Sequence, residues 1–189
     1  MSLYSLPSQL YEVLIPVDTL LQHAIDVPRF AECCRQCPKY GKSWACPPFS
    51  FDVEALWKSY RQVFLCAAKC EIPQEMREIV YRTEELNRVC ERICEPLADQ
   101  VCQRLAQYGE NREGSKIINP DGCHLCDDIG CSRTQGLPCR YPQQMTLSIE
   151  GLGIDAQWTL KHCFGMELQW GSGGQLAPYY IRMGGVLLP

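Results

Sequence analysis

The sequence lacks the features that mark several common protein classes. No apolar run reaches the roughly 18 residues that a membrane-spanning helix needs, so no membrane association is expected. The opening MSLYSLPSQLYEVLIPVDTL has no positively charged segment followed by an apolar run and a small-residue cleavage site, so no secretory leader is expected. Positive charge is scarce: the net charge is −4 and the sequence pI is about 5.4, which argues against a nucleic-acid footprint. The run Gly171 to Gly174 is a turn signal. Neither the lysine–serine/threonine of a phosphate loop nor the dinucleotide-binding spacing accompanies it. The three-cysteine signature of radical-SAM enzymes is missing, and so is any solenoid-type repeat or long linker.

Cysteine, by contrast, is abundant, with 14 in 189 residues. A disulfide framework and a metal framework compete to explain so many thiols. Disulfides need an oxidising compartment and chiefly help small domains without a sufficient core. This chain is 46% hydrophobic and shows no secretory leader, so metal ligation in a reducing cytoplasm is the expectation.

Two cysteine clusters stand out. The second is the better defined: Cys123, Cys126, Cys131 and Cys139 are separated by two, four and seven residues. A close pair offers two thiolates from one turn, and the later pair closes the cage from the returning chain. Four thiolates suit a tetrahedral zinc at about 2.3 Å per bond or a four-iron cluster with one cysteine per iron. His124 lies between two candidate ligands and is expected to be a surface or outer residue. Arg133 and Arg140 are placed either to offset a cluster's negative charge or to be solvated surface.

The first cluster is Cys33, Cys34, Cys37 and Cys46, in a loop marked by Pro38, Gly41, Pro47 and Pro48. Adjacent cysteines rarely bind one centre together, so Cys37, Cys46 and either Cys33 or Cys34 form the working set. Three cysteines on a four-iron cluster leave one iron open, a site for chemistry. The same set fits zinc completed by Cys66 or Cys70. Tyr40, Trp44, Phe49 and Phe51 would exclude water from such a centre or simply pack in the core. Cys90, Cys94, Cys102 and Cys163 fit core packing, where a thiol behaves as a small hydrophobe, or else one of them is a further ligand.

The fold expected is α+β, one domain over residues 1–189: a small mixed sheet with helices and two cysteine-rich metal-binding loops. Residues Tyr11 to Ile25 read as an amphipathic stretch. Trp57 begins a short helix, followed by the strand-length run RQVFLCAAK. Leu86, Val89, Ile93, Leu97, Val101 and Leu105 recur at helical spacing within residues 75–108, with Pro96 expected to begin a second helix. Ser115–Asn119, Met166–Trp170 and Tyr179–Leu188 read as strands, and Asp155–Cys163 as a short helix.

The segments CRQCPKYGKSWACPP, CHLCDDIGC with LPCRYP, and SIEGLGID together resemble a family of cysteine-rich, predicted metal-binding proteins, domain of unknown function 2284. The family pattern of a cysteine pair, Pro-x-Tyr-Gly and Trp-x-Cys-Pro-Pro falls on Cys34, Cys37, Pro38, Tyr40, Gly41, Trp44, Cys46, Pro47 and Pro48. Its four-cysteine loop falls on Cys123, Cys126, Cys131 and Cys139, and its closing segment on Ser148, Glu150, Gly153, Ile154 and Asp155. The chain departs in the longer gap before Cys131 and in Ile149, where the family has methionine. The resemblance spans roughly residues 33–188. It implies metal binding and leaves the reaction open; Glu150 and Asp155 are each candidates for a site, Asp155 equally for a helix cap. The function expected is a cytosolic iron–sulfur protein, with a 4Fe-4S cluster, in electron transfer to a redox partner protein or in an accessory redox role. The alternatives are an enzyme acting at an open iron and a zinc-stabilised binding module.

Overall fold

The computed structural model describes residues 6–189. Strand β1 (Ser8–Pro16) leads into helices α1 (Val17–His23), α2 (Val27–Arg35) and α3 (Val53–Lys58). Strand β2 (Gln62–Glu71) is followed by the short α4 (Gln74–Arg77), the long α5 (Thr83–Gly109) and β3 (Lys116–Asn119). The chain ends with β4 (Leu147–Ser148), α6 (Ala156–Phe164) and β5 (Tyr179–Leu188). The strands form one mixed sheet in the order β1-β2-β5-β3-β4, antiparallel throughout except for the parallel β3–β4 pair.

The sheet is covered on both faces, so its central strand is apolar without alternation: every residue of β2 from Val63 to Ala68 is buried. Val63, Leu65 and Ala67 face a core with Val17, Leu20, Trp57, Leu152 and Leu160, drawn from α1, α3 and the chain around α6. Phe64, Cys66, Ala68 and Cys70 face the other core, against Val89, Ile93, Leu97, Val101 and Leu105 of α5.

Several sequence expectations need correction. Pro96 does not begin a second helix; it lies inside the continuous α5. An interior proline costs about 3 kcal/mol. The α5 apolar face runs unbroken past it, each fully buried side chain contributing roughly 1.5–3 kcal/mol, and that packing wins. The stretch Tyr11 to Ile25 is an edge strand followed by a helix. Tyr11, Val13 and Ile15 alternate towards the first core along β1, and the period changes at Val17. Met166–Trp170 makes no ladder; Met166 and Leu168 pack on the first core without a strand partner. The helix expected at Trp57 begins earlier, at Val53, where the Asp52 side chain accepts the Ala55 N–H at 3.0 Å.

The parallel β3–β4 pair does most to position the cysteine loops. Ile118 is in register with Leu147 and Asn119 with Ser148, so both strands end at the same edge of the sheet. There β3 delivers Gly122 and Cys123, and β4 delivers Glu150.

Candidate metal centres

The first cysteine loop starts where α2 ends. Asp26 caps α2 by accepting the Arg29 N–H at 3.1 Å. At its far end the N–H groups of Gln36 and Cys37 bond the carbonyls of Cys33 and Cys34. The chain then folds back on itself: Gly41 N–H reaches Pro47 O at 2.8 Å, and Cys46 N–H reaches Ser43 O at 3.1 Å. Cys33 and Cys37 are exposed, Cys34 is half-buried and Cys46 is buried. Burial raises the Cys34 thiol pKa, and the charges of Cys37, Glu150 and Cys33 raise it further. Cys46 is pushed up to about 11, first by burial; Lys39 opposes the rise, while Cys37, Cys34 and Glu150 add to it. Cys34 and Cys46 thus each feel the other, Cys37 and Glu150.

The second loop leaves β3 through a tight corner. Gly122 has φ +98°, and a Cβ there would lie 3.2 Å from Ala45 Cβ and 3.6 Å from Cys46 Sγ. Only glycine lets the two loops approach so closely. Beyond the corner, Cys123, Cys126, Cys131 and Cys139 are all half-buried, and all four line a single cavity of about 250 Å³. Ser43, Trp44 and Ala45 of the first loop form part of its wall. The loop is held shut by Ser132 Oγ donating to Pro138 O at 2.8 Å and Arg140 Nη1 donating to Gly130 O at 2.7 Å. His124 lies outside the wall and pairs with Asp127 at 2.8 Å.

Side chains tie the two loops into one body. Arg133 donates to the carbonyls of Ser43 (2.8 Å), Cys46 (2.6 Å) and Pro48 (2.5 Å), and its guanidinium lies 4.9 Å from the Trp44 ring centre. Trp44 Nε1 donates to Leu137 O at 3.2 Å, and Lys39 Nζ to Asp121 O at 3.0 Å. Phe49 and Phe51 stack beside them with ring centres 4.8 Å apart.

The donor chemistry fits a thiophilic metal. None of the 14 cysteines is in a disulfide. Among the described residues no three Cys, His, Asp or Glu side chains close on an ion-sized point. The second-loop thiols instead line a space many times that of one water molecule. Cations border both groups. Lys39 lowers the Cys46 pKa, and Lys116, whose own pKa burial lowers, feels the Cys123 charge. Sequence reasoning missed both lysines: Lys39 is the variable position of the Pro-x-Tyr-Gly pattern, and Lys116 lies outside every motif.

The remaining cysteines sit elsewhere. Cys66 and Cys70 point to the α5 side of the sheet and pack in its core, and burial pushes Cys66 up to about 12. Neither is among the charges that Cys34 or Cys46 feels. Cys94 is buried on α5, Cys90 sits 3.1 Å from the Tyr180 hydroxyl, and Cys163 packs on the first core. Asp155 caps α6, accepting the Trp158 N–H at 2.8 Å.

The family model described as "Predicted metal-binding protein (DUF2284)" matches residues 22–188. The chain has no significant match among curated proteins or among solved structures.

Proposed function

Because the chain belongs to this family of predicted metal-binding proteins, we propose that it is an iron–sulfur protein with two centres. One is held by Cys123, Cys126, Cys131 and Cys139, the other by Cys34, Cys37 and Cys46. The observation that carries the reading is the cavity lined by all four second-loop cysteines. A wide space ringed by thiols suits a polynuclear centre better than a single ion held at about 2.3 Å per bond.

A four-iron cluster, when bound, supplies one-electron transfer at a potential set by its charge, hydrogen bonds and exposure. The chain's own residues supply those settings. Lys116 and Lys39 offset negative charge beside Cys123 and Cys46. Trp44, Tyr141 and Met145 wall the four-thiol cavity and limit water. The half-buried cysteines leave one side of the centre within reach of a redox partner protein, and electron transfer to such a partner is the role this reading assigns. Free thiols throughout the chain agree with a reducing, cytoplasmic setting.

The test is the absorption spectrum of protein purified without oxygen. Broad visible absorption that bleaches with dithionite supports the reading. A colourless protein with stoichiometric zinc would replace it with a zinc-stabilised module.

A further inference from the structure

We propose that the Glu150 carboxylate is the fourth donor of the first centre, completing a three-thiolate, one-carboxylate set with Cys34, Cys37 and Cys46. The inference rests on the two-centre reading above and adds the donor that reading leaves open.

The backbone brings Glu150 to this place from two sides. Ser148, the last residue of β4, donates its N–H to Ala45 O at 2.9 Å, directly beside Cys46. The next turn packs so tightly on the first loop that a Cβ on Gly151 would lie 3.0 Å from Pro47 Cδ. On the other side the turn abuts the start of the helix that carries Cys33 and Cys34. Asp26 N–H donates to Gly153 O at 2.9 Å, and Arg29 pairs with Asp155 at 3.6 Å. Glu150 therefore stands between the two chain segments that hold the three thiols.

The side chain is anchored but not neutralised. Ser148 Oγ donates to Glu150 Oε2 at 2.7 Å and itself accepts the Gly151 N–H at 3.2 Å. No lysine or arginine among the described residues forms an ion pair with Glu150. The fold crowds Glu150 and this raises its carboxyl pKa, with Asp121 adding to the rise and Ser148 and Arg182 opposing it. Solvent still reaches the side chain, so that rise is partly screened. A carboxylate held beside the Cys46 loop without an ion pair of its own, its charge felt by the thiols of Cys34 and Cys46, is an arrangement that a bound cation stabilises. The cysteines considered from sequence for the fourth position, Cys66 and Cys70, are buried in the α5 core instead.

The test compares full-length wild type, Glu150→Gln, Glu150→Cys and Cys37→Ser, purified without oxygen and assayed for metal per chain and for rate of loss to a chelator. Cys37→Ser defines the first centre's share of the metal. Glu150→Gln keeps the size and the Ser148 hydrogen bond but removes the anionic donor, so that share should be lost at least tenfold faster than in wild type. Glu150→Cys restores an anionic donor and should return retention to wild type or slower, which a purely structural role for the carboxylate would not produce. The second centre should hold its metal equally in all four proteins. If Cys37→Ser costs metal but Glu150→Gln releases it at the wild-type rate, Glu150 is no ligand and this inference alone fails. If Cys37→Ser costs no metal, the first centre does not exist and both readings fall.

Discussion

Arg133, on the second cysteine loop, donates from Nη1 to the carbonyl oxygen of Cys46, on the first, at 2.6 Å. The residues are 87 positions apart, and the same guanidinium also holds the Ser43 and Pro48 carbonyls. One side chain thus holds three carbonyls of the first loop against the second. Arginine suits the task because its planar fork serves several acceptors at once and keeps its charge.

Arg133→Ala should therefore cost about 2–3 kcal/mol in denaturant unfolding of the metal-free chain, since charge-assisted bonds are each worth roughly 1.5–3 kcal/mol and this side chain is only part-buried. It should also lower metal occupancy at both centres. Arg133→Lys keeps the charge but not the fork and should recover only part of the loss. Unchanged stability together with unchanged occupancy would refute the clamp.

Cys37→Ser should remove one centre's metal and leave the other filled, by elemental analysis per chain. The basis is the separation of Cys34, Cys37 and Cys46 from the cavity wall that Cys123, Cys126, Cys131 and Cys139 share. Metal falling to zero would mean that the two loops share one centre.

The metal-free protein should lose stability in alkali. Burial pushes the thiols of Cys46 and Cys102 up to about 11 and Cys66 up to about 12, from an ordinary value of 9.0. The native state therefore holds these protons after the unfolded chain has released them. The contribution is full below about pH 9 and is lost as pH climbs through about 11–12. Tm should fall across that window, and a flat profile would contradict the burial. Metal binding runs the other way: ligating thiols must lose their protons, so affinity should weaken as pH falls.

Pro96→Ala should stabilise the chain by about 1–3 kcal/mol, because it restores a helix hydrogen bond on an exposed face of α5 without touching the packed one. A measured loss of stability would mean that the proline shapes the helix against β2 in a way the packing requires.

Much of the fold was legible because its signals are local. The unbroken apolar run of β2 and the Val89–Ile93–Leu97–Val101–Leu105 face of α5 announce themselves by spacing alone. The strand failures share one cause: strand pairing depends on distant chain. Tyr11, Val13 and Ile15 alternate over too few residues to stand out beside the helix after them, and only β2 makes them a strand. Met166–Trp170 has strand-like residues and no partner. At the site, cysteine spacing marked both loops, but it could not bring Glu150 to Cys34 and Cys46. That meeting depends on β4 running parallel to β3, through the register of Asn119 with Ser148.

On this reading Cys123, Cys126, Cys131 and Cys139 enclose one iron–sulfur centre. Its most direct test is iron and acid-labile sulfide per chain, measured in anaerobically purified Cys37→Ser protein, where only that centre should remain. Iron and sulfide should appear in equal amounts, about four of each for a four-iron cluster, and a further Cys126→Ser change should abolish both. Iron and sulfide that survive the Cys126→Ser change, or a protein holding neither, would contradict it.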